Sequence, residues 1–426
     1  MILVVVGIKM AKQLATEMAP PFNLVAHFML AGGFFYALVS FVLPFYASYL
    51  DSFFVSSTIA AISHLFLLGF VMMIIFGAMY QLVPVILEIP LFSKDFAYVQ
   101  FYIYIVGLCL MSFGFFFEEN YLPYLTYGAL MVYISMLIFA VNIFLTYRNI
   151  EEWSIPAKYI LVSNIFLFVG VSFGLLAALN MQYGFLSIDM MSIVKAHIGG
   201  VLLGYVFMTI VGVAMVLIPM FSLSHGFSDK YVDRGFYFIV VGVVLYMIGN
   251  LSEYSFLAGY GSIAMAISVG LFIYQMKVIF DGKVRKEIDF WAKNMIASFF
   301  FLIVSLVIFA LGYLFGYDRF FLLGGYFLFF GFLVSIIVGH IYKILPFLVW
   351  YQRFAPLVGK QKVPMLNDMV VIKVADRQFF ITLYGTLISG FALLFGFKYL
   401  FVLGTLAMVV GAVMVIYNMY YTLTYR

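Results

Sequence analysis

His64 and His197 are embedded in apolar runs, SHLFLLGF and KAHIGGVLLGY, where a nitrogen base is costly unless it has a chemical task or a bonding partner. Neutral imidazole ligates iron, copper or zinc and titrates near neutrality, so the chemistry on offer is cofactor ligation or proton handling. The plainer reading is a hydrogen-bonded packing residue. His27, His225 and His340 fall at the opposite ends of their segments and share one level, either as a small metal site or by coincidence. Cys109 is the single cysteine, which leaves neither a disulfide framework nor a thiolate cluster. No Walker-type loop, dinucleotide fingerprint or HExxH stretch occurs.

The elements that position these histidines must be membrane helices. Of the 426 residues 66% are hydrophobic and 9% charged, and the mean hydropathy is +1.15. No soluble fold of this length hides so much apolar surface. Breaking the chain at charges, prolines and turn residues predicts twelve spans: 22–48, 56–88, 97–117, 122–147, 157–180, 190–221, 234–252, 254–277, 294–316, 320–350, 378–397 and 399–424. The opening MILVVVGIKMAKQ is too short for a span and lacks the order of a signal peptide, and Met10 or Met18 would serve equally well as a starting residue. With both termini inside, only Lys195, Arg319 and Lys398 of the 22 Lys and Arg lie outside, a strong positive-inside bias. The net charge of +4 therefore reports orientation and not nucleic-acid binding.

Spans 2, 6 and 10 share a signature, Gly-x7-Gly-x6-Pro: Gly69, Gly77 and Pro84; Gly204, Gly212 and Pro219; Gly331, Gly339 and Pro346. The repeat unit is thus four helices in three copies of one direction, carried by helices 56–88, 190–221 and 320–350. On a helix the second glycine lies 80° from the first and the proline about 60° from the first, so one narrow face allows close packing and then bends. Packing suffices to explain these glycines and prolines. Two inner loops stand out, Asp281–Asp289 and Tyr351–Arg377; the second is long and rich in Lys and Pro, and reads as a solvated connector or a dock for a partner or anionic headgroups. Lys343 and Glu88, near inner helix ends, read as snorkelling side chains or a proton entry point.

Twelve spans in a parallel three-fold plan resemble the catalytic subunit of the haem–copper oxidases and nitric oxide reductases. The nitric oxide reductase branch carries on span 2 an outer histidine and later a Gly-Ala-x-Tyr-x-Leu-Val-Pro ending. Here His64 is followed by Gly77-Ala78-Met79-Tyr80-Gln81-Leu82-Val83-Pro84. The resemblance implies an all-α membrane protein, one transmembrane domain over 1–426, with four-helix units in pseudo-three-fold arrangement and both termini inside a prokaryotic inner membrane. It implies haem on His64 and places His197 where the family has its first copper ligand. It also implies respiratory subunits as partners. The family needs six histidines, however, including a pair on span 7 and a pair on span 10. Gly235–Asn250 has none, and Arg319–Phe332 offers Tyr326 but no imidazole, so copper and a normal oxygen-reducing centre are not expected.

His64 and His340 sit on similar faces but differ by about 21 Å in height, so they cannot share one iron. A haem held by His64 alone, or a small metal near His197, stays open. The resulting expectation is a haem-binding relative with an accessory electron-transfer, protective or nitric oxide- or oxygen-sensing role. A looser likeness to haem-containing membrane proteins of the nitric-oxide response points the same way. The competing expectation is a cofactor-free channel, transporter or assembly subunit on the same scaffold. The aromatic content of 20% suits a tetrapyrrole pocket or ordinary membrane packing equally.

Overall fold

The computed structural model describes residues 18, 20–50, 56–148, 150, 152–285 and 287–426. The opening segment considered above lies outside them, apart from Met18. Among the described residues twelve helices are long and apolar enough to cross a bilayer: α1 Phe22–Ser48, α2 Ser57–Leu87, α3 Lys94–Phe116, α4 Leu122–Tyr147, α5 Ile155–Tyr183, α6 Met190–Ser222, α7 Lys230–Leu251, α8 Phe256–Asp281, α9 Phe290–Phe315, α10 Asp318–Arg353, α11 Ile372–Phe395 and α12 Lys398–Thr424. The chain is a multi-pass membrane protein. The largest shift from the expected ends is at α11, which begins at 372 and not 378, because Lys373, Asp376 and Arg377 are taken into its first turns.

Helix starts follow from capping. Ser56, Ser93 and Ser154 accept from Ile59, Phe96 and Ala157 backbone N–H groups, and Asp289 accepts from Ala292. The helices α5, α9 and α11 stop at Gly184, Gly316 and Gly396, each with positive φ. More unusual are the ends of α2 and α6. Four residues beyond the motif proline, Glu88 and Leu223 take up left-handed φ of 56° and 54°. The next N–H, of Ile89 or Ser224, then turns back to the Pro84 or Pro219 carbonyl. The third motif helix does not stop there and runs on to Arg353.

The described residues sort into two compact units. One takes Gly77–Lys286 and the chain up to Val25; the other joins Ala26–Phe76 to Glu287–Arg426. Inside them the four-helix repeat reappears as the same contacts. Each motif helix is interrupted by a π-helical stretch around its first glycine: Leu65–Met72, Gly199–Phe207 and Phe327–Leu333. That glycine sits under a phenylalanine of the preceding helix, Gly69 under Phe35, Gly204 under Phe166 and Gly331 under Phe301, leaving no room for a Cβ. The packing role expected of the glycines is what is found.

The next two helices of every copy form a hairpin pinned by a glycine pair: Gly107 with Gly128, Gly242 with Gly261, Gly385 with Gly404. Fourteen residues before the first glycine lie Ser93, Ser228 and Val371; fourteen after the second lie Asn142, Gln275 and Asn418. Each of these buried amides bonds the backbone of its copy's loop residue. Asn142 accepts from Ser93 N–H at 3.0 Å, Gln275 donates to the Ser228 carbonyl at 3.0 Å, and Asn418 accepts from Val371 N–H at 2.9 Å. The chain from motif proline to loop residue is nine residues long in the first two copies and 25 in the third, so the third carries sixteen more (25 − 9). This extra segment is mostly exposed, as a solvated connector would be, and is tied down at a few points. Trp350 Nε1 donates to the Pro364 carbonyl at 2.8 Å, and Thr422 donates to the carbonyl of the buried Met369 at 2.7 Å.

Candidate functional site

His64 ends the first α-helical stretch of α2, immediately before the π segment, and is half-buried. Its Nδ1 lies 2.7 Å from the Ala60 carbonyl. A carbonyl only accepts, so Nδ1 carries the proton and the neutral ring presents its lone pair at Nε2, as metal-bound histidines do. Two residues on, Phe66 points about 160° away around the helix. Phe66 stacks on Phe329 with centroids 5.4 Å apart and meets Phe330 at 4.8 Å. The α2 face that meets α10 is therefore filled with rings, and the imidazole looks away from it.

The α10 residue in register with His64 is Tyr326: each stands five before the first motif glycine and immediately before its π segment. Its hydroxyl is engaged by Ser389 and by Met408 Sδ at 3.2 Å. Tyr326 is thus committed to α11 and α12.

His197 lies two residues before the α6 π segment, with Nδ1 2.8 Å from the Gly170 carbonyl of α5. The ring fills a notch at Gly174, where an added Cβ would come 2.7 Å from Cε1. In this position His197 clamps two helices, whereas the Nδ1 bond of His64 stays within its own helix. Replacing His197 with Phe should lower the thermal-unfolding midpoint by the equivalent of about 0.6–1.7 kcal/mol, the scale of an interhelical hydrogen bond in a bilayer, with any haem spectrum unchanged. A spectrum lost with His197 and not with His64 would reverse these roles.

The three remaining histidines, His27, His225 and His340, are the candidates for a small metal site on the inner side. Among the described residues no three His, Cys, Asp or Glu side chains come together in a group fit for a metal ion. His225 is exposed beyond α6. His340 bonds the Ile336 carbonyl within α10 at 2.7 Å and meets Trp291 edge-on at 6.2 Å.

The reading of Lys343 as a snorkelling side chain is overturned. Its ammonium pairs with Asp289 at 2.8 Å, with the two side chains only 12% and 15% exposed, and lies 4.9 Å over the Phe290 ring. A second pair, Lys293 with Asp376 at 2.7 Å, ties α9 to α11. Asp289 also caps α9, so one carboxylate fixes both the start of α9 and the proline end of α10. Nothing in the local sequence signals this pair, whose partners are 54 residues apart. Glu88, by contrast, is exposed at the end of α2. Two tyrosines of the motif, Tyr80 and Tyr342, each donate to a glutamine one hairpin helix on, Gln100 at 3.0 Å and Gln378 at 3.2 Å. The middle copy has Met215 and Gly235 there.

No family model matches the chain, and no curated protein matches it.

Proposed function

We propose that the chain is a degenerate relative of the haem–copper oxidase catalytic subunit that holds one haem through His64 and senses or captures a small gas such as nitric oxide or oxygen. The observation that carries this reading is the state of His64. Its Nδ1 proton is committed to the Ala60 carbonyl, its Nε2 is the ligating nitrogen, and it stands at the π segment of the helix that ends in GAMYQLVP. His64 would be the residue that holds the haem, since Tyr326 is bonded to Ser389 and Met408 and the rings of α2 and α10 that face each other are packed. A haem held by His64 would supply the iron chemistry for taking up a diatomic gas. His64 holds and orients it, and the aromatic side chains exclude water. Accessory electron transfer is the other use of such a site. Copper has no place in it.

On the same reading the three copies stand in a pseudo-three-fold arrangement, with both termini on the inner side of a prokaryotic cell membrane. This is supported by the recurrence of π segments, glycine pairs and amide clasps, and by the placement of Lys and Arg. Partner subunits of a respiratory chain would bind on the inner face.

The test is a reduced-minus-oxidised absorption spectrum with a pyridine haemochrome assay on the purified protein, beside His64→Ala. Stoichiometric haem, lost or spectrally changed in the variant and shifted by carbon monoxide, is the expected result. A folded, colourless protein sinks it. That outcome would favour the second reading, a cofactor-free carrier or assembly subunit, for which the stacked Phe66, Phe329 and Phe330 already speak.

A further inference from the structure

One face of α11 is polar for most of the membrane thickness. Gln378, Thr382, Thr386 and Ser389 lie within an 80° sector and span about 17 Å along the axis. All four are buried, none more than 6% exposed. Part of the stripe is satisfied by protein: Tyr342 donates to Gln378, Gln378 Nε2 donates to Thr382 at 2.9 Å, and Ser389 bonds Tyr326. The rest is not. The hydroxyls of Tyr36 and Thr386 and the Nδ2 of Asn418 are fully enclosed and lack a hydrogen-bond partner among the described residues. The Tyr36 hydroxyl faces Thr382 without closing a bond.

Each orphaned polar atom in an apolar interior costs about 1–3 kcal/mol, and the usual remedy is a bound water with two to four polar partners. The internal repeat supplies a control for whether the fold demands this stripe. The register-matched residues of α7 are Gly235, Ile239, Val243 and Tyr246, and that hairpin packs through the same glycine pair. In α3 the register-matched residues are Gln100, Tyr104, Leu108 and Met111, so the glutamine recurs in the first copy and the small hydroxyl residues Thr382, Thr386 and Ser389 are what α11 adds to the scaffold.

We infer that α11, with α1, α10 and α12, encloses a file of internal waters that reaches from the proline end of the helices to the level of Tyr326. Asn418 marks its mouth, since its Oδ1 holds the Val371 N–H at the start of α11. The Lys343–Asp289 pair stands beside that mouth, next in the chain to Tyr342. Tyr36 and Thr386 take the waters further in. Opposite Thr382, Gly411 has no side chain, and a Cβ there would collide with the Thr382 hydroxyl. The file gives solvent a route to Tyr326 with or without a cofactor elsewhere in the protein.

The test is X-ray radiolytic footprinting of the full chain in lipid nanodiscs in ¹⁸O-labelled water, read by mass spectrometry. Met408 and Met265 are matched probes: each stands four residues after the second glycine of its hairpin, and Met408 is the less exposed, 0% against 8%. Static exposure alone would oxidise Met265 faster. With waters at the α11 stripe, Met408 should gain labelled sulfoxide at least about threefold faster than Met265. In Thr386→Val combined with Ser389→Ala the ratio should fall to one or below. A Met408 rate at or under that of Met265 in the unaltered protein overturns the inference. The unaltered ratio decides the matter even if the double variant does not fold.

Discussion

Replacing Gly404 with valine is expected to abolish folded protein. The glycine sits where α12 crosses α11, and a Cβ there would come 2.6 Å from the Ser389 N–H nitrogen and 2.8 Å from the Gly385 carbonyl oxygen. Both obstacles are backbone, so neither can rotate aside as a side chain would. The helices would have to part, and the buried contacts of the hairpin, including Tyr326 with Ser389 and Met408, would go with them. Overpacking by small increments costs about 1–3 kcal/mol, and a collision with two backbone groups exceeds that range. The repeat extends the prediction to Gly261→Val, where the obstacles are the Tyr246 N–H and the Gly242 carbonyl. The control is Gly270→Ala in α8, which has nothing within 4 Å of its new methyl and gains helix propensity of up to about 1 kcal/mol. Monodisperse yield in detergent and the thermal-unfolding midpoint check the set. Equal behaviour of Gly404→Val and Gly270→Ala would mean that the hairpins do not cross at these glycines.

Removing the carboxylate of Asp289 is the second large effect. Asp289→Asn keeps an N-cap for α9 but leaves the Lys343 ammonium largely enclosed without its counter-ion. Breaking such a pair from one side costs about 3–5 kcal/mol, and at 12–15% exposure the lower end applies. Substituting both partners, Asp289→Asn with Lys343→Met, removes the stranded charge and should restore most of the lost stability. Thermal-unfolding midpoints of the two single variants and the double variant measure this as a cycle. Additive losses would show that the pair is solvated and contributes little. Because Lys343 adjoins Tyr342 at the mouth of the α11 stripe, the same double variant also asks whether the charges are needed for water entry. Met408 footprinting reads that out separately from stability.

The extra sixteen residues of the third copy belong with these two sites. In the first two copies the chain turns back through Glu88 or Leu223 and pairs with its amide clasp nine residues after the proline. In the third, α10 continues past that point and the segment to Val371 is laid against its own unit by Trp350, Asn418 and Thr422. The two interhelical charge pairs Lys343–Asp289 and Lys293–Asp376, the polar stripe and the insertion fall in the third copy. That copy departs from the bare scaffold on its proline side, while His64 departs from it on the other.

The sequence by itself determined the number, limits and register of the helices. Runs of 20 or more apolar residues have one low-energy form in a bilayer, since every backbone polar group must be satisfied within its own segment. The Gly-x7-Gly-x6-Pro signature likewise announced the repeat, because backbone contact tolerates only glycine and the spacing keeps both glycines on one face. Three things were decided by tertiary structure alone. The amide clasps at Asn142, Gln275 and Asn418 were silent because a buried Asn or Gln in an apolar run looks the same whether it faces a loop or a lipid. The direction of His64 away from α10, and of His197 into α5, depends on which neighbour each helix face meets, and a single helix does not encode that. The conversion of Lys343 from an apparent snorkelling residue to half of an enclosed ion pair required Asp289 to be brought from 54 residues away. Hydrophobicity and backbone bonding act locally and can be read along the chain. Charge pairing, ring stacking and the satisfaction of buried polar atoms are properties of neighbours, which the folded chain chooses.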